Sequence, residues 1–166
     1  MICDEMGLGK TYQAIAVADF YRDDWPLFIC TTASTRDPWA QYIRELLPSI
    51  PLHYIQVLNS NQQYIGDCKV LIASYSMMER HIKQIMERKF GFLIFDESHS
   101  LKNSKAKCTM VANRLSQHAK HVLLLSGTPA LSRPLELFSQ LQMIDKKFMN
   151  FMDFSKYLKY KWLQYI

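Results

Sequence analysis

Apolar and polar positions fall in blocks along this chain, and the blocks switch between two periods. Short apolar runs stand at Leu27-Phe28-Ile29-Cys30-Thr31, at 53–58, at 70–73, at Phe92-Leu93-Ile94-Phe95 and at 121–125. Runs of that length, bounded by polar or turn-forming residues, predict strands buried on both faces. Between them the apolar residues take helical spacing. Ala14, Ile15, Ala18 and Phe20-Tyr21 predict a helix over 11–21. Asp37-Pro38 opens another, with Asp as the cap and Pro at the first helical position, and Pro48 stops it after Leu47. Further helices are predicted over 75–88, 104–117 and 134–143, with a polar loop at 59–66. Strands alternating with helices imply parallel βαβ units, so the expected fold is α/β, a doubly wound parallel sheet. Ligands in such sheets bind beyond the carboxyl ends of the strands. The tail after Lys146, rich in Phe, Tyr, Met and Lys, predicts an aromatic helix over 151–165. Its apolar face is read as covering the core or docking elsewhere, rather than as a platform for bases.

Composition narrows this only a little. At 166 residues, 49% of them hydrophobic, the chain holds one domain and one sizeable core. The net charge of +5 favours a polyanionic partner but does not by itself identify one. The cysteines Cys3, Cys30, Cys68 and Cys108 form no C-x-x-C pair, so no zinc site is expected, and their use suits a reducing compartment. His118 and His121 have metal-like spacing without a supporting cluster and are read as structural. No apolar run approaches the roughly 20 residues of a membrane span, and no membrane partner is expected.

Three segments carry chemistry. The first is Asp4-Glu5-Met6-Gly7-Leu8-Gly9-Lys10-Thr11, followed by a helix. Glycines let backbone N–H groups approach phosphate oxygens, and the helix adds the positive end of its dipole. Lys10 is placed for the β- and γ-phosphates and the Thr11 hydroxyl for Mg²⁺. Asp4 stands where the strict phosphate-loop pattern has Gly, so a glycine-rich turn capping an ordinary helix stays open as the alternative. The second is Asp96-Glu97-Ser98-His99, directly after an apolar strand. Neighbouring acids at a strand end diverge, so Asp96 is read as the magnesium holder and Glu97 as the group that orients and deprotonates water. A solvated acidic turn is the plain alternative. The third is Leu125-Ser126-Gly127-Thr128-Pro129, again after a strand.

In that order, these segments resemble the motif set of helicase superfamily two, and within it the Snf-type DNA translocases. The loop DEMGLGKT, Pro38-Trp39 and Leu101-Lys102-Asn103 carry the narrower likeness. The run from DESH to LKNS and the stretch SGTPALSRPLEL look most like annealing helicases that remodel replication forks.

The resemblance implies a RecA-like first lobe that binds ATP and Mg²⁺ through 4–11 and Asp96. It implies catalytic roles for Lys10, Asp96 and Glu97, and a coupling role for His99, Ser126, Gly127 and Thr128. Ser34, Thr35 and Arg36, Ser74 and Tyr75, and Lys102 match positions that touch DNA phosphates. Thr32 here replaces the usual Pro of the first of these segments. Nucleotide is the expected small-molecule substrate. Double-stranded or branched DNA and a second RecA-like lobe are the expected partners, and the nucleus the expected location. An RNA helicase lobe and a non-catalytic nucleotide- or DNA-binding fragment are the rival readings. The expected organisation is an ATP-binding lobe over 1–147, lacking most of the strand before its phosphate loop, and a helical tail over 148–166. A lobe alone is expected to hydrolyse ATP barely above background and to be marginally stable.

Overall fold

A computed structural model describes residues 1–127, 136–145 and 147–162. Five parallel strands form one sheet in the order β2-β3-β1-β4-β5. The strands are β1 (Leu27–Thr31), β2 (Ile55–Val57), β3 (Val70–Ser74), β4 (Phe92–Phe95) and β5 (His121–Leu124). The helices are α1 (Lys10–Phe20), α2 (Arg36–Leu46), α3 (Tyr75–Arg80), α4 (Ile82–Arg88), α5 (Lys107–His118), α6 (Leu137–Ile144) and α7 (Phe151–Trp162).

The continuous apolar runs are explained by two cores, one on each face. Leu27, Ile29, Val70, Ile72, Phe92 and Ile94 point to the face covered by α1 and α2, where they meet Ala14, Ile15, Trp39 and Ile43. Phe28, Cys30, Leu71, Ala73, Leu93 and Phe95 point the other way, to Met78, Ile85, Ala112 and Leu115. The two-residue period of a strand thus sends alternate side chains to opposite layers, and both layers exclude water.

Boundaries differ from the sequence reading in several places. The helix expected over 75–88 is two helices broken at His81, which is buried and lies 3.2 Å from the carbonyl oxygen of Ser60 through Nε2. The strand expected over 53–58 is short because Pro51 leads into a helical turn over Leu52–Tyr54. Helix α2 begins two residues early, at Arg36, so Asp37 sits in the first turn and Thr35, not Asp37, occupies the cap. The helix expected from 104 begins at Lys107, after a turn in which Asn103 Oδ1 accepts from the Lys105 amide at 3.0 Å.

The residues leading into the glycine-rich loop lie at the end of the sheet, beyond β5. Ile2 forms a parallel bridge with Leu125: its amide donates to Leu124 O at 2.8 Å and its carbonyl accepts from the Ser126 amide at 3.1 Å. In the tail, Phe154 is buried and packs on Phe138 and Phe148, each ring pair 5.6 Å apart, so α7 docks its aromatic face on α6.

Candidate functional site

From Ile2 the chain passes straight into the glycine-rich loop. Gly7 (φ 85°) and Gly9 (φ 74°) both take the left-handed conformation that a Cβ makes costly. Gly9 caps α1, and no side chain bonds the first-turn amides there. That leaves the positive end of the helix open toward an anion. Lys10 Nζ folds back over the loop and donates to the carbonyl oxygens of Asp4 and Glu5, each at 2.8 Å. Gln13 Nε2, one turn on, donates to Asp4 Oδ2 at 3.0 Å and Leu8 O at 3.3 Å. Met6 and Leu8 project outward, largely exposed. Gly127 lies against the same loop: a Cβ there would stand 3.2 Å from Met6 Cγ and 3.8 Å from Lys10 Nζ.

Strand β4 delivers the acids beside β1. Asp96 Oδ2 accepts from Thr31 Oγ1 at 2.8 Å and from Trp39 Nε1 at 2.9 Å, while Oδ1 accepts from the Glu97 amide at 3.0 Å. The Asp96 carbonyl accepts from the Tyr75 hydroxyl at 2.6 Å. Burial pushes that phenol well above the ordinary tyrosine range. Glu97 has left-handed backbone (φ 49°, ψ 48°), which turns the chain sharply after Asp96. Its Oε2 lies 3.2 Å from His99 Nδ1, and Ser126 Oγ lies 3.5 Å from the same nitrogen. His99 therefore stands between Glu97 and Ser126.

These groups share one cleft of about 370 Å³. Gly7, Gly9, Lys10 and Thr11 line it, with Thr35, Pro38, Trp39, Tyr42, Asp96 and Glu97. Tyr12 and Tyr42 meet edge to face within it, ring centres 5.3 Å apart. An open helix end, a lysine and glycine backbone suit a polyphosphate. The metal donors on offer are hard oxygens, the Thr11 hydroxyl and the Asp96 carboxylate. Among the described residues no group of three or more His, Cys, Asp or Glu is arranged to hold a metal ion. Few protein ligands of oxygen type fit Mg²⁺, which keeps its waters and takes substrate phosphates as ligands.

The residues expected at DNA divide into two sets. Ser34 is exposed and Thr35 half-buried, on the loop between β1 and α2. Arg36, Ser74 and Tyr75 are turned to the protein, while Lys102 stays at the surface. Arg36 donates to the carbonyl oxygens of Ala33 and Leu58. Ser74 is buried and caps α3 by accepting from the Met77 amide at 3.3 Å. Tyr75 is held by Asp96, and Lys102 Nζ lies 3.7 Å from Glu136 Oε2. Thr128, expected in the coupling segment, lies outside the described residues.

Sequence reasoning overlooked Thr31, Tyr12, Gln13 and Tyr42. Thr31 had a legible signal: it is the polar residue that closes an otherwise apolar strand, and it is fully buried. Nothing in the local pattern marks the tyrosines, which meet only once α1 and α2 are side by side.

Comparison with known proteins agrees with this geometry. A family model described as the SNF2-related domain matches residues 1–164. The chain is 74% identical over 155 residues to a "SWI/SNF-related matrix-associated actin-dependent regulator of chromatin subfamily A-like protein 1" of Drosophila melanogaster, covering 93% of this chain and 20% of that protein. It is 37% identical over 163 residues to the "DNA annealing helicase and endonuclease ZRANB3" of Bos taurus, covering 94% of this chain and 15% of that one. This chain thus spans a fifth or less of the length of these relatives. Among solved structures, the Sulfolobus solfataricus SWI2/SNF2 ATPase core in complex with dsDNA matches with a TM-score of 0.79 at 20% identity, over 93% of this chain and 33% of that one. That likeness establishes the RecA-like α/β fold.

Proposed function

The chain belongs to the SNF2-related domain family, and on that premise we propose that it is the ATP-binding lobe of a DNA-dependent ATPase that translocates on duplex DNA and rewinds or remodels branched DNA at replication forks. The observation that carries the proposal is the convergence of Lys10, Thr11, Asp96 and Glu97 on one cleft. Lys10 Nζ exchanges the carbonyl oxygens of Asp4 and Glu5 for the β- and γ-phosphates. Thr11 and Asp96 hold Mg²⁺, which when bound neutralises charge on those phosphates. Asp96 is oriented for this by Thr31, Trp39 and the Glu97 amide. The Glu97 carboxylate takes the proton of the attacking water, and His99 links it to Ser126 in the segment expected to sense nucleotide state.

The loop bearing Ser34 and Thr35 touches a DNA phosphate. Such contacts follow the backbone without reading bases. A second RecA-like lobe completes the site across the cleft, and the nucleus is the place of work. The relative named as an annealing helicase supports the branched-DNA part of this reading.

The test is ATP hydrolysis by the full-length protein with duplex DNA, forked DNA or RNA, together with annealing of a fork bearing unwound strands. Stimulation by duplex or forked DNA and strand rewinding are expected. Stimulation by RNA alone would replace the proposal with an RNA helicase.

A further inference from the structure

Two neighbouring residues of α6 hold the turn that follows the acid pair. Glu97 leads into a helical turn, Ser98–Leu101, which carries His99. At its start, Ser98 Oγ donates to Gln140 Oε1 at 2.8 Å. At its end, the Leu101 carbonyl accepts from Ser139 Oγ at 2.6 Å. All four residues are buried, Ser98 and Gln140 completely. The Ser98 amide is bound separately, to the Leu125 carbonyl just after β5 at 2.8 Å. The turn is thus tied to the sheet through its backbone and to α6 through side chains.

Packing alone does not call for these groups. Glutamine is seldom fully buried, and burying its amide costs free energy unless hydrogen bonds replace water. A leucine fills a similar volume without that cost. An apolar contact would press the turn on α6 at several neighbouring positions, whereas a directional bond between buried groups selects one. The residue that needs such selection stands beside Ser98. Glu97 has left-handed backbone, a conformation that persists only where its surroundings determine it. Its carbonyl accepts from the Ser100 amide at 3.0 Å, inside the same turn. Its Oε2 lies 3.2 Å from His99 Nδ1, also in that turn. A slip of the turn along α6 therefore displaces Glu97 together with its imidazole partner. Lys10 and Thr11 belong to α1 and do not move with it.

We infer that Ser98, Ser139 and Gln140 are positioning residues for hydrolysis: α6 grips the turn at both ends and so aims the Glu97 carboxylate at the attacking water. None of the three lines the nucleotide cleft. The inference rests on the function proposed above.

The experiment measures DNA-stimulated ATP hydrolysis and the thermal midpoint of the full-length protein for Ser98→Ala, Gln140→Leu and the double variant. Each single change deprives one buried polar group of this bond and lowers the midpoint. The double variant removes donor and acceptor together and regains part of that loss. The rate behaves differently. All three variants break the same bond, so kcat falls by the same roughly 10- to 100-fold in each, as a small misplacement of a reacting group does. The KM for ATP stays within about twofold, because the phosphate loop is untouched. Ser139→Ala, at the other end of the turn, lowers kcat in the same sense. If a single variant does not fold, the double variant and Ser139→Ala carry the test. A double variant whose kcat returns to the wild-type value along with its stability overturns the inference, since the pair then serves packing only. So does a raised KM with unchanged kcat, and in either case the function proposed above stands. A wild type without DNA-stimulated hydrolysis removes both.

Discussion

Trp39 Nε1 donates to Asp96 Oδ2 at 2.9 Å, although 57 residues separate the two in the chain. The indole is 2% exposed, so the donor is fixed by the core formed by α1, α2 and the sheet. Trp39→Phe keeps most of the apolar volume and deletes the donor. A hydrogen bond to a charged group is worth about 1.5–3 kcal/mol, and about 1.4 kcal/mol is tenfold in rate. DNA-stimulated ATP hydrolysis by the full-length protein is therefore expected to fall by roughly tenfold or more. The variant's rate at saturating nucleotide, set beside its thermal midpoint, checks this. A wild-type rate would remove the orienting role from Trp39.

Lys10 makes two charge-assisted bonds to the loop, and both disappear in Lys10→Ala. The same ammonium serves the phosphates in the proposed function. Its loss is expected to weaken nucleotide binding about 100-fold, the equivalent of one or two such bonds. The side chain is at the surface of the cleft, so stability should change by no more than about 0.5 kcal/mol. Titration with a fluorescent ATP analogue and a urea melt separate the two effects. A large loss of stability with retained affinity would mean that Lys10 is only a brace for the loop.

How far the sequence could be read follows from how local each feature is. Strands β1, β3 and β4 were legible because burial on both faces makes a strand apolar nearly throughout, and that pattern lies within a few residues, whereas β2 and β5 are only partly buried. The glycine loop and the acid pair were legible for the same reason: each is contiguous. What the sequence did not disclose is built from elements far apart. Thr31 meets Asp96 only because β1 and β4 are neighbours, in register at Cys30 and Phe95. The inward turn of Arg36 depends on the Leu58 carbonyl just after β2. Helix 75–88 breaks at His81 because the imidazole meets a loop carbonyl 21 residues upstream, a contact that outweighs helical propensity.

At the opposite end of the strands, Asp24 receives Lys120 Nζ and, at 2.8 Å, His121 Nε2. These two hydrogen bonds, Lys120 first and His121 second, hold the Asp24 carboxyl below its ordinary value of about 3.9. A carboxyl lowered in the folded state stabilises above its unfolded pKa. That contribution is lost as pH falls through the folded pKa. Asp24→Asn is expected to lower the urea midpoint at pH 7 and to leave a shallower loss of stability below about pH 4. Parallel pH profiles for wild type and variant in that acid range would contradict this assignment.

Glu97 combines its role in the proposed function with an unfavourable backbone. Among the described residues only Lys89 and Glu97 are non-glycine residues at positive φ. Lys89 closes α4, where a left-handed residue is an ordinary helix ending. Glu97 has no such excuse: it turns the chain so that Asp96 and Glu97 diverge, and an L-residue there costs roughly 1–2 kcal/mol. Glu97→Gln keeps that backbone and removes the proposed base, so hydrolysis should be lost while stability barely changes. Glu97→Ala and Glu97→Gly both remove the carboxylate and its partly exposed pairing with His99, itself worth at most about 1 kcal/mol. They differ in the Cβ that the left-handed conformation penalises. The glycine variant is expected to be the more stable of the two by about 1 kcal/mol, and neither should hydrolyse ATP. Urea midpoints measured side by side decide the point. Equal midpoints would mean that position 97 stores no backbone strain, and the sharp turn after Asp96 would then owe nothing to a cost borne for catalysis.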